Sequence, residues 1–294
     1  MERRRFIQSV SCASMAACIP RVFGTLSAEH RFVRQIGLQL WTVRNQLATD
    51  VAGTIQSIAD AGYYQIELSD VMKSDEVIRA AKASGLAYTS SFLDWTIIGQ
   101  PGQSGTDSID TVVEKAHSLD LKHLVFGYIG KGHRETSDHY RRHAENANRA
   151  GEKCRAAGIQ LNYHNHSFEF GPLPDGTTGF DVFVKEFEPT LVKFELDVFW
   201  VQIGGRDAVA TIKSLPGRIA QLHLKDLKQG TPVIHDEGAV PVDAFKELGR
   251  GTINMVDVIK AGDAAEVQQC HVEQDQSDHP VQSIGISLAH IRSI

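Results

Sequence analysis

Eight short apolar runs recur along the chain, separated by amphipathic stretches, and few folds accept that order. The runs are IGLQLW (36–41), YQIEL (64–68), LAYTSSF (86–92), HLVFGY (123–128), IQLNYH (159–164), VKFELD (192–197), IAQLHL (219–224) and QCHVEQ (269–274). Between most of them lie helix-length segments such as 50–62, 74–85 and 137–158. These three end in Gly62, Gly85 and Gly158, the residue a helix C-terminus prefers. A last amphipathic stretch, VQSIGISLAHIRSI (281–294), supplies an eighth helix. Strands alternating with helices imply a parallel sheet covered on both faces, and eight such units imply closure into a (β/α)8 (TIM) barrel. A doubly wound open sheet is the competing arrangement, but no GxGxxG turn follows the first run. With 294 residues, 42% of them hydrophobic and 22% charged, the chain suits one large α/β domain, which we expect over 29–294.

A barrel of this kind places chemistry at the C-terminal ends of its strands. Those ends carry Gln39, Glu67, His164, His166, Asp197, His223 and Glu273. Polar groups at the ends of buried strands are costly to desolvate unless they bind something. In YHNH, His164 and His166 are two apart, so on one strand both rings face the same side, together with Asn162. The fifth to eighth runs are neighbours in a barrel, and each offers one ligand: His164, Asp197, His223 and Glu273. Two imidazoles and two carboxylates suit Mn, Co, Zn or Fe better than a pure oxygen-ligand Ca or Mg site. Their formal charge of −2 neutralises a divalent ion.

The segments GLQLWTVR (37–44), YHNHSFEF (163–170), ELDVFW (195–200), LHLKD (222–226), KELGRGTINMVDVIKA (246–261) and HVEQD (271–275) together resemble the xylose-isomerase-like barrel family. That family includes sugar phosphate isomerases, ketose 3-epimerases, inosose dehydratases and endonuclease IV. The likeness spans 36–294 and keeps the order of the elements. It implies metal ligands Glu, Asp, His and Glu on strands 5 to 8, of which Asp197, His223 and Glu273 match the last three. Strand 5 departs: where many relatives read LENH, this chain reads YHNH, which puts His164 in the glutamate's place. A register taken from the downstream Phe168-Glu169 would put Tyr163 there, but Tyr163 faces the opposite side of the strand.

The resemblance implies proton abstraction next to a metal-polarised carbonyl of a sugar or keto-sugar. With His164 in place of one glutamate, we expect Glu273 as one base and His166, on the same face as His164, as the second acid/base. We therefore expect an isomerase or epimerase acting on a small carbohydrate. A lyase or hydratase on a keto-sugar or keto-glycoside is the main alternative, and a non-catalytic exported carbohydrate-binding barrel is the alternative of another class. Gln39, Glu67, Trp200 and Lys225 are expected to contact substrate. Trp41 is weighed against rim packing, and His133 and Arg134 against an exposed loop. The letters HNH alone do not make a nuclease motif, since three residues on an apolar strand carry too little information.

The first 28 residues form a separate segment. Arg3-Arg4-Arg5-Phe6-Ile7 precedes a small-residue apolar stretch and resembles a twin-arginine export signal, which implies a periplasmic protein. Met15-Ala16-Ala17-Cys18 resembles a lipoprotein cleavage box and keeps a lipid-anchored form open. The segment is too short and polar for a stable membrane span. The whole chain carries −6; the leader contributes +3, leaving −9 for the remainder. That balance disfavours nucleic-acid partners and an endonuclease role. A homo-oligomer is compatible with the composition. The four cysteines show no CxxC spacing, and no disulfide is expected.

Overall fold

The computed structural model describes Leu26 and residues 29–294; the rest of the proposed leader, with Cys12 and Cys18, lies outside the described residues. Eight parallel strands close into a ring: β1 (Gly37–Gln39), β2 (Gln65–Leu68), β3 (Ala87–Leu93), β4 (His123–Phe126), β5 (Gln160–His164), β6 (Val192–Asp197), β7 (Ile219–Leu224) and β8 (Gln269–Val272). Neighbours in sequence are neighbours around the ring, and β1 meets β8 through Gly37↔His271 and Leu38↔Val272. This is the expected (β/α)8 barrel.

The helices form where the sequence supplies caps. Asp50 accepts a hydrogen bond from Gly53 N at the start of Val51–Ala61, and Gly62 ends that helix at φ 100°, a left-handed conformation suited to glycine. Thr136 caps Ser137–Ala156 in the same way. The last helix, Pro280–Ser293, begins on a proline, which needs no N–H partner there.

Period-2 alternation sorts each strand into two environments. Leu161, Tyr163, Phe194, Leu196, Leu222 and Leu224 belong to the core between strands and helices. Alternating with them, Asn162, His164, Glu195, Asp197, Gln221 and His223 are buried polar groups. These face the barrel interior, because their hydrogen bonds join strands that are not adjacent. Gln221 on β7 donates to Ser90 on β3 at 3.0 Å, and His223 on β7 reaches Glu67 on β2 at 2.6 Å. The interior of this barrel is thus a polar, hydrogen-bonded stack rather than the aliphatic filling usual for the fold.

Three local expectations change. The first run leaves the strand after Gln39 and becomes a 3-10 turn (Leu40–Val43), because the Gln39 side chain accepts from Trp41 N. The eighth strand ends at Val272, which puts Glu273 just beyond it. His164 and His166 do not share one strand: β5 stops at His164. Asn165 takes over the pairing there, its Oδ1 accepting from Asp197 N at 3.0 Å and its Nδ2 donating to Asp197 O. The Glu169 carboxylate accepts the His166 backbone N–H. The two rings remain close, with centroids 5.1 Å apart.

Candidate metal centre

His164 ends β5, Asp197 ends β6, His223 lies near the end of β7, and Glu273 follows β8. One ligand atom from each lies within 4.8 Å of the others, and all four side chains are buried. His223 Nδ1 is 2.8 Å from Glu273 Oε2 and 3.9 Å from Asp197 Oδ2, and His164 Nε2 is 3.8 Å from Asp197 Oδ2. The two oxygens of Asp197 are divided between tasks. Oδ1 accepts from Phe199 N and Trp200 N, capping the helix Val198–Ile203. Oδ2 accepts no backbone hydrogen bond and is fully buried, with the Lys225 ammonium 3.0 Å away as its ion-pair partner. Burial pushes His164 well below the usual histidine range, which keeps its imidazole neutral and able to ligate. Burial works against charge on His223, but Glu195 and Glu67 outweigh it and hold that ring well above the same range, so ligation there would displace a proton. Two carboxylates and two imidazoles at this spacing fit a divalent cation with N and O ligands.

Two of the four, His164 and Glu273, line the floor of a cavity of about 940 Å³ that opens beyond the strand ends, and Asp197 and His223 lie buried behind them. Gln39, Trp41, His164, His166, Trp200, Lys225 and Glu273 all line the cavity. Lys225 Nζ is 3.0 Å from Asp197 Oδ2 and 2.7 Å from both Glu273 Oε2 and Asp275 Oδ2. Burial works against its charge, but Asp197, Asp275 and Glu273 outweigh burial and hold the ammonium well above the usual lysine range. Trp200 packs beside the His166 ring at 5.2 Å and beneath Lys225 at 5.4 Å. Burial pushes His166 down to about 3, and its Nδ1 has no hydrogen-bond partner.

Other residues singled out in the sequence sit elsewhere. Glu67 does not line the cavity; it lies fully buried beneath His223 and accepts from Gln39 Nε2, Ser90 Oγ and His223 Nε2. Direct contact of Glu67 with a ligand in the cavity is therefore replaced by support of Gln39 and His223. Tyr163 packs on Phe183 at 4.5 Å, on the helix side, with its hydroxyl donating to Glu169. Burial raises that carboxyl to about 7. Arg134 stacks over Phe168 at 3.6 Å and pairs with Glu237 at 2.7 Å, and His133 contacts Gln100; neither Arg134 nor His133 lines the cavity.

The sequence reading missed three groups. Asp275 holds Lys225, while Glu195 and His271 lie two residues before Asp197 and Glu273. Period 2 alone would have placed the latter pair inside the barrel.

The Xylose isomerase-like TIM barrel family matches residues 55–293. This chain belongs to that family. Within the xylose isomerase-like barrels, an inosose dehydratase from Geobacillus thermodenitrificans is 22% identical over 245 residues, covering 76% of this chain and 81% of the relative. A sugar phosphate isomerase/epimerase from Parabacteroides distasonis superposes with a TM-score of 0.69 at 24% identity, covering 89% of this chain and 96% of the other. A third barrel, solved with a bound zinc atom, superposes at 0.61 with 13% identity over 88% of this chain and 98% of its own. Among the described residues no helix is long and apolar enough to cross a membrane.

Proposed function

We propose that this xylose isomerase-like barrel is a divalent-metal-dependent isomerase or epimerase acting on a sugar or keto-sugar. The reaction begins by removing a proton from the carbon next to a carbonyl. The observation that carries this reading is the convergence of His164, Asp197, His223 and Glu273, of which His164 and Glu273 line the same cavity as His166 and Lys225. A divalent cation held by those four residues (Mn, Co, Zn or Fe) would supply Lewis acidity toward a substrate oxygen. Glu273 reaches the cavity and serves as the base, and His166 handles the proton at the second position. Lys225 donates to substrate oxygens, and Trp41 and Trp200 offer flat apolar faces for a sugar ring.

A lyase or hydratase on the same substrates is the second reading. It is supported by the imidazole of His164 in the place where the family resemblance implies a carboxylate, and by the likeness to an inosose dehydratase. Metal-loaded protein incubated with ketoses and 3-keto-glycosides in heavy water separates the two. Deuterium at the carbon next to the carbonyl, in a product otherwise unchanged in mass, is expected for isomerisation. Loss of water or of an aglycone moves the assignment to the lyase. Sugar binding that survives chelation and Glu273→Gln, with no exchange, would leave a binding protein instead.

We also propose export. The supporting feature is Arg3-Arg4-Arg5-Phe6-Ile7 at the head of the chain. Replacing Arg3 and Arg4 by lysine is expected to shift the protein from the periplasmic to the cytoplasmic fraction. An unchanged distribution on cell fractionation would refute the twin-arginine route.

A further inference from the structure

Below the cluster of His164, Asp197, His223 and Glu273, the barrel holds a second set of groups, of which only His223 is used by the chemistry above. Glu67, Glu195, His223 and His271 each offer one ligand atom, and these four atoms lie within 4.8 Å of one another. All four side chains are fully buried. His223 Nε2 stands 2.6 Å from Glu67 Oε2 and 3.0 Å from Glu195 Oε1. His271 Nδ1 is 3.8 Å from Glu67 Oε1, yet neither ring nitrogen of His271 has a hydrogen-bond partner. A buried imidazole with both nitrogens idle has lost its water without replacement, which is costly unless something else binds it. Gly37 on the adjoining strand makes the room: a Cβ there would stand 2.2 Å from His271 Cδ2.

We infer that Glu67, Glu195, His223 and His271 form a second divalent-cation site stacked beneath the first, with the His223 imidazole as the bridge between two ions. The two nitrogen-bearing edges of that one ring carry the argument. Nδ1 belongs to the set with Asp197 and Glu273, and Nε2 to the set with Glu67 and Glu195. Charge points the same way. With neutral imidazoles, the carboxylates of Glu67, Glu195, Asp197, Glu273 and Asp275 face the single ammonium of Lys225. Two divalent ions would cancel the remainder; without them protons take their place, since burial favours one on Glu195 and the neighbouring carboxylates outweigh burial to favour one on His223. Two nitrogens and two oxygens suit zinc or a neighbouring transition ion. Tetrahedral bonds of about 2.1 Å separate donors by roughly 3.4 Å, so the 2.6 and 3.0 Å contacts need only open by less than about 1 Å.

The inference rests on the proposed metal centre only through the shared His223, and the test separates the two. None of Glu67, Glu195 and His271 lines the cavity, so zinc is supplied both to the folded protein and during refolding. Zinc per chain is then measured by elemental analysis after gel filtration. Two equivalents are expected in the wild type, falling to one in Asp197→Asn and to one in Glu195→Gln. Copper loaded into both sites is expected to show the spin coupling of an imidazole bridge in its paramagnetic resonance spectrum, and Glu195→Gln is expected to show an isolated copper signal. One zinc in the wild type, kept by Glu195→Gln and lost by Asp197→Asn, overturns the second site and leaves the first standing. One zinc with the opposite pattern removes the first site and the bridge, and no zinc under either loading regime removes both sites.

Discussion

Asp197→Asn is expected to remove the cation that exchanges through the cavity, and turnover with it, while the barrel stays folded. The substitution separates the two duties of this side chain. Asparagine caps a helix as well as aspartate does, so the bonds from Phe199 N and Trp200 N to Oδ1 survive. Oδ2 becomes an amide that donates instead of ligating, and it faces Lys225 Nζ, another donor, 3.0 Å away. The ligand set falls from two formal negative charges to one. Loss of an outer partner of a metal ligand typically costs about 10–100-fold in affinity, and loss of the ligand itself is expected to exceed that. Calorimetric titration with zinc or manganese measures the affinity, and melting curves with and without chelator give a second readout. Wild-type protein gains stability from the ion by mass action, and the variant gains less. Equal affinity in the two proteins would remove Asp197 from the ligand set.

The second large effect concerns stability. Asp226→Ala is expected to lower it by about 3–5 kcal/mol, because one buried carboxylate organises a whole loop. Oδ1 of Asp226 accepts from Leu227 N and Ile253 N, and Oδ2 accepts from Gly249 N and Gly251 N, at distances of 2.9 to 3.0 Å. Removing it leaves four backbone donors without their acceptor, that of Leu227 in the interior and those of Gly249, Gly251 and Ile253 in a partly open loop. Gly251 completes the fit: a Cβ there would lie 2.2 Å from Asp226 Oδ1. For a domain of this size the loss corresponds to a melting point lower by roughly 10 °C. Asp226→Asn should fall between wild type and alanine, since one amide oxygen still accepts while its NH2 meets donors. A drop under about 2 °C for alanine would show that the loop is held by other contacts.

The ring was legible because its signal is repeated: each strand alternates apolar and polar residues, and glycine closes several helices. Asp197 and His223 could be read as a converging pair because each stands at or near a strand's C-terminal end. Depth was not legible. Strands in a barrel are staggered, so groups equally far from their strand ends stand at different heights. Glu67 therefore lies beneath His223 rather than beside the cavity. His166 left its strand because an asparagine side chain copied backbone pairing, which no periodicity reveals. The short antiparallel pair Asp226–Leu227 with Phe245–Lys246 is only two residues wide, too brief to leave a pattern.

The seam between β1 and β8 joins residues from near opposite ends of the described chain, through Gly37↔His271 and Leu38↔Val272. Until that contact forms, the sheet is an open parallel ribbon with two raw borders, each able to recruit a strand from another molecule. A nascent chain still lacking β8 has no means of hiding them, and this longest-range pairing is the slow kind. The hazard of aggregation therefore belongs to synthesis, and closing the ring ends it.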